Sequence, residues 1–207
     1  MYVDKPLREF LDELASKSAM PGGGSAAALA GAAGAALLSM VCNLTIGREK
    51  YREAEATLSE VLRKAEGIRF ELMSLIDADI NAYNAMMAAY RMPKESEGDK
   101  AQRTAAIQEK TIDATNVPLR MGELCSQIID LSVPVAEMGN VNAISDAGVG
   151  VLLAEAGLQS AALNVQINLR SIKDTAFVAR AESELRRQRA GKTETRAKVL
   201  AIVEGKL

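Results

Sequence analysis

An all-α fold, a bundle of about six to eight helices around two buried apolar ones, is what this sequence predicts, on three observations. Apolar residues recur at steps of three and four nearly everywhere, and no strand-like alternation lasts beyond a few residues. Two long stretches are almost free of charge, one between Ser18 and Gly47 and one between Asp146 and Arg170, where Glu155 is the exception. The segments around them carry an apolar stripe and a charged face, as helices that wrap a core do.

The elements follow in order. Leu7, Phe10, Leu11 and Leu14 form the first stripe, with Pro6 as the first helical residue. The run Met20–Gly24 breaks that helix, and Ser25 is placed to cap the next. Tyr51, Ala54, Leu58, Val61, Ala65, Ile68, Leu72 and Leu75 continue a third helix, whose stripe extends through Asp79, Tyr83, Met86 and Tyr90 until Pro93 ends it. Pro93–Lys100 is a charged loop. A fourth helix runs from about Lys100 toward Leu131, with a kink expected at Pro118. Breakers cluster at Gly139–Asn142, a second apolar helix runs from Asp146 to Arg170, and Asp174 or Thr175 starts a final charge-rich helix. No repeat or boundary divides the chain, so residues 1–207 read as one domain. The Ala- and Gly-rich apolar helices also suggest packing against a second copy, a homodimer.

Composition excludes much. The 207 residues carry a net charge of −2, only 3% aromatics and no Trp, which argues against nucleic-acid or acidic-membrane partners. The chain has no histidine, so His-containing metal sites and His-based triads are ruled out, and acid–base chemistry falls to carboxylates, Lys, Tyr, Cys or water. Cys42 and Cys125 fit neither a zinc spacing nor a disulfide framework, and the charged N-terminus shows no secretory pattern; a cytoplasmic setting is expected.

Few polar residues fall on apolar stripes, and these are the candidates. Asp79 stands where its helix calls for an apolar residue, so its carboxylate is either functional or a buried structural group. Asp146 follows Ser145 as in an ordinary N-cap, but it heads a stripe of Gly150, Leu153, Gly157, Ser160, Asn164 and Asn168. Buried amides at Asn164 and Asn168 need partners. Ser39 and Asn43 end the other apolar helix in the same manner, and Asn140 and Asn142 lie in the loop before Asp146, where turn formation explains at least one of them. Gly22, Gly23 and Gly24 leave backbone bare at a helix start, without a Walker lysine or a preceding strand. By default Lys50 is a solvated charge.

"PGGGSAAALAGAAGAALLSMVCNLTIGREKY", "DADINAY", "MPK", "VPL", "GNVNAISDAGVGVL" and "ALNVQINL" stand in the order found in the formiminotransferase-cyclodeaminase C-terminal domain family, which the chain resembles from about Phe10 to Phe177. "SMVCNLTIG" and "ISDAGVGVL" look most like the stand-alone bacterial methenyltetrahydrofolate cyclohydrolases. Tyr83 and Met92 depart from the residues common in relatives, Phe and Leu. The resemblance implies an all-helical homodimer acting on a tetrahydrofolate derivative, without a formiminotransferase domain, metal or separate cofactor. It implies hydrolysis of 5,10-methenyltetrahydrofolate, with Asp146 and Asp79 dividing the roles of base and second carboxylate. Gly22, Gly23, Gly24, Ser25, Asn43, Tyr83, Asn140, Asn142, Ser145, Asn164 and Asn168 would line the folate site, and Lys50 would meet the glutamate. Three alternatives stand beside it: formiminotetrahydrofolate cyclodeaminase activity, a non-catalytic folate-binding helical dimer, and a membrane span at Ser18–Gly47. The last is disfavoured because Ala, Gly and Ser contribute little transfer energy.

Overall fold

The computed structural model describes residues 2–207. Among them α1 (Leu7–Leu14), α2 (Gly23–Asn43), α3 (Glu55–Tyr90), α4 (Glu97–Met138), α5 (Ile144–Leu169), α6 (Thr175–Arg189) and α7 (Lys192–Glu204) follow in order, with no strand. Short 3-10 turns at Tyr2–Asp4, Glu49–Ala54 and Val141–Ala143 precede α1, α3 and α5. The predicted all-α bundle with two apolar central helices is what forms.

At the centre α2 packs against α5, α3 and α4. Glycine makes the first of these contacts close. A Cβ at Gly34 would stand 2.8 Å from the Gly150 carbonyl oxygen, and one at Gly157 would stand 3.1 Å from that of Ala27. The pairs run in opposite order, Gly23 beside Asn164 at one end and Gly34 beside Gly150 toward the other, so α2 and α5 are antiparallel. Ala28, Ala35, Leu38, Val41, Val151, Ala154 and Leu158 are fully buried between them and their neighbours. Both helices are long and apolar enough to cross a bilayer, yet more than half of α2 is buried inside the bundle.

Several boundaries differ from expectation for local reasons. Pro6 is the cap residue of α1, not its first helical residue, and Leu7 and Leu11 are exposed while Phe10 is buried. The stripe of α3 is buried from Leu58 through Leu72 and then continues through Ile76 and Ile80, which leaves Asp79 and Tyr83 at its edge. A seam repeating every 3.5 residues drifts around a helix of 3.6 residues per turn. α4 starts at Glu97 because Ser96 and Asp99 form a reciprocal capping box, and it runs through both Pro118 and Pro134 to Met138. The expected final helix is two helices, divided at Gly191, whose φ of 71° lies in the left-handed region.

Candidate active site

The first turn of α2 has no side-chain cap of its own: Gly22 occupies the cap position. Its free N–H groups therefore need an acceptor from elsewhere. Asp79 of α3 supplies one. The Ser25 hydroxyl donates to Asp79 Oδ2 at 2.9 Å, and the Ser25 backbone N–H bonds the same carboxylate. Ser25 is thus not the cap predicted from sequence; it is a buried donor that fixes Asp79. Burial raises the Asp79 pKa above its ordinary 3.8, and the two Ser25 hydrogen bonds oppose the shift. Gly24 makes the arrangement possible, because a Cβ there would fall onto the Asp79 carboxylate. At Gly23 a Cβ would meet only the Asn164 amide, at an ordinary 3.5 Å.

In front of Asp79 lies a cavity of about 320 Å³. Gly22, Gly23 and Gly24 form one wall, Tyr83 and Met86 of α3 another, and Pro118 of α4 with Asn164, Ile167 and Asn168 of α5 the rest. Backbone, aromatic ring and amides together suit a flat heterocycle with hydrogen-bonding edges. The amides are partly committed. Asn164 Nδ2 donates to the Ser160 carbonyl at 2.9 Å. Asn168 Nδ2 donates at 3.3 Å to the carbonyl of Ala114, the acceptor that Pro118 leaves without its helical N–H.

The other predicted site residues are not at this cavity. Asp146, Asn43, Lys50, Asn140, Asn142 and Ser145 gather where α2 ends and α5 begins. Because the two helices are antiparallel and long, Asp146 lies about 27 Å along α5 from Asn164. The paired carboxylates therefore do not meet within one chain. Asn140 is held within the fold: it is buried, its Nδ2 donates to the Leu44 carbonyl at 2.9 Å, and its Oδ1 accepts from Tyr51 Oη and Asn142 N. Lys50 sits 5.4 Å from the Tyr51 ring, and Asn43, Asn142 and Ser145 are exposed. Asp146 is in the first turn of α5, with Ala143 at the cap.

The two cysteines drop out as nucleophiles. Burial pushes the Cys42 thiol up to about 11 and the Cys125 thiol up to about 12. No group of His, Cys, Asp and Glu able to hold a metal occurs among the described residues. Of the lining residues outside the predicted set, Met86 lay on the same stripe as Asp79, so a signal existed. Ala19, Met20, Ala114, Pro118 and Ile167 carried none, because their position depends on how the α1–α2 connection, α4 and α5 are packed.

Comparison with known proteins agrees with this architecture. The formiminotransferase-cyclodeaminase family model matches residues 6–187. Methenyltetrahydrofolate cyclohydrolase of Methylorubrum extorquens is 52% identical over 185 residues, 89% of each chain. Formimidoyltransferase-cyclodeaminase of Rattus norvegicus is 37% identical over 175 residues, 84% of this chain but 32% of the longer rat protein. The crystal structure of formiminotetrahydrofolate cyclodeaminase from Thermotoga maritima superposes with a TM-score of 0.88 at 30% identity, covering 98% of this chain and 97% of that one. The chain belongs to the formiminotransferase-cyclodeaminase family.

Proposed function

We propose that this protein is a methenyltetrahydrofolate cyclohydrolase that opens 5,10-methenyltetrahydrofolate to 10-formyltetrahydrofolate. The observation that carries it is the half-buried Asp79 carboxylate at the wall of a cavity built of backbone, amides and one aromatic ring. The 52% identity to the Methylorubrum enzyme supports the same reading. The substrate is a cyclic amidinium, so its bridging carbon is already electrophilic. An ionised Asp79 is placed to offset that charge and to take a proton from the attacking water. Water adds to the carbon, the bond to N5 breaks, N5 takes up a proton, and the formyl group stays on N10. Because the electrophile supplies its own charge, the step as written calls for no metal or redox cofactor.

Purified protein should consume the methenyl chromophore with steady-state turnover. Binding without turnover would point instead to a folate-binding scaffold. The second reading, cyclodeaminase activity, is favoured by the 0.88 TM-score to the Thermotoga enzyme. Ammonia release from formiminotetrahydrofolate in preference to methenyl hydrolysis would establish it.

The same proposal includes a cytoplasmic homodimer. Met40 near the end of α2, Leu44 just after it, and Val149, Leu152, Leu163 and Ile167 of α5 are exposed, and helical spacing puts the four of α5 on one side of that helix. The face they mark is about 30 Å long and about 20 Å wide, so a second copy would bury roughly 1,200 Å² in all, enough for a specific dimer. Its centre lies near the middle of both helices, where Gly31 packs on Gly157 and Gly34 on Gly150. A two-fold axis there, perpendicular to the helices, would carry one chain's Asp146 toward the other's glycine run, since the two lie at opposite ends of the antiparallel pair. On this arrangement Asp146 of the partner subunit is the second carboxylate, across the substrate from Asp79. A monomeric mass in light scattering at micromolar concentration would remove the dimer.

A further inference from the structure

The cavity in front of Asp79 does not end at Tyr83. A second cavity of about 260 Å³ shares Ala19, Met20 and Tyr83 with it and continues toward the C-terminal end of α3, past Asn84 and Met87 to Arg91. The two adjoin along α3, and the residues they share make them the two halves of one proposed groove. Asp79 and Arg91, at its opposite ends, are about 18 Å apart by helix rise. Their charges differ in sign, and so do their commitments. Asp79 is held by Ser25. The Arg91 guanidinium is exposed and, like those of Arg8, Arg48, Arg170 and Arg189, has no hydrogen-bond or carboxylate partner among the described residues, whereas those of Arg63, Arg69 and Arg120 are each gripped by glutamates.

We propose that Arg91 is the anion end of the substrate site and binds the glutamate carboxylates of the folate. This rests on the folate reading above and adds the substrate's orientation. The cationic bridge faces Asp79, the p-aminobenzoyl ring passes Tyr83, and the glutamate lies over Asn84 and Arg91. The spacing of the two residues along α3 is on the scale of an extended ligand whose cation and carboxylates are divided by a benzene ring. Arg suits the distal end because its planar fork grips a carboxylate with two N–H bonds. Lys50, expected from sequence to do this, is at the far end of α2 from the groove. A larger cleft of about 720 Å³, lined by Arg170, Arg186 and Arg189, is the rival anion site, but it shares no residue with the groove.

The test compares methenyltetrahydrofolate with methenyltetrahydropteroate, whose carboxylate sits on the ring and stops short of Arg91. Arg91→Ala should raise KM for the glutamate-bearing substrate about tenfold, the loss of one charge-assisted contact, and move that for the pteroate less than twofold. Arg91→Lys should recover most of the affinity, and Arg189→Ala should leave both values unchanged. Calorimetric binding of 5-formyltetrahydrofolate and 5-formyltetrahydropteroate repeats the comparison without turnover. Unchanged affinity in Arg91→Ala, equal loss for both compounds, or a KM that responds to Arg189→Ala in its place overturns the assignment. Wild-type protein that binds in an Arg91-dependent way but does not turn over refutes the cyclohydrolase and leaves the subsite standing. Failure to bind either compound refutes both.

Discussion

Asp79 carries the chemistry because its environment holds two demands in tension. Burial favours the neutral acid, while Ser25 and the N-terminus of α2 favour the carboxylate. The net shift is upward, so the acidic limb of a kcat/KM profile should lie above the ordinary aspartate value of 3.8. In Asp79→Asn that limb should vanish, and activity should fall about 10²-fold or more with the fold retained. The sign for stability is opposite. A raised pKa means the native state holds the proton more tightly, so this group's contribution is full below 3.8 and is lost as pH rises through the folded value. Denaturation midpoints should therefore move in favour of Asp79→Asn as pH rises through that window. Glycine matters most at one position. Gly24→Ala should cost more kcat/KM than Gly23→Ala, because only the former puts a methyl on the Asp79 carboxylate, and steady-state kinetics of the pair would show it.

Elements are joined at this site by compensation between helices. Pro118 removes an N–H from α4, and Asn168 of α5 fills the gap at the Ala114 carbonyl. Asn168→Ala should cost about 1–2 kcal/mol, because that carbonyl then loses its donor. In a Pro118→Ala background the helix donates its own N–H, so the same substitution should cost clearly less. Urea denaturation of the four proteins in the cycle measures the coupling. Equal costs in both backgrounds would show that the amide does not serve the proline. Pro118 and Asn168 were both visible in the sequence, yet nothing in their spacing joined them, since the partnership crosses from α4 to α5. The stripe from Leu58 to Leu72 was legible because burial along one helix leaves a periodic trace.

At the scale of the molecule, two polar ends face away from each other along an antiparallel pair. If the dimer joins them, catalysis belongs to neither chain alone. Mixing inactive Asp79→Asn with inactive Asp146→Asn under conditions of subunit exchange should restore activity, because each mixed dimer regains one site with both carboxylates. Absence of recovery, with exchange shown by mass, would place all the chemistry within one chain. The exposed apolar residues Leu163 and Ile167 fit this assembly, since a monomer gains nothing by leaving them in water.

By itself the sequence determined the helices, the two central apolar ones, the absence of histidine chemistry, the family resemblance and the singular position of Asp79. All of these are written in composition, order or periodicity along one chain. Only the tertiary structure decided that Asp79 meets Gly24 and Ser25, that Asp146 stands a helix length away, and that Asn140 is committed to the backbone. Periodicity reports which face of a helix is buried. It carries no information about which neighbour covers that face or in which direction the neighbour runs, and the antiparallel run of α2 and α5 alone separated the residues that sequence had placed in one pocket.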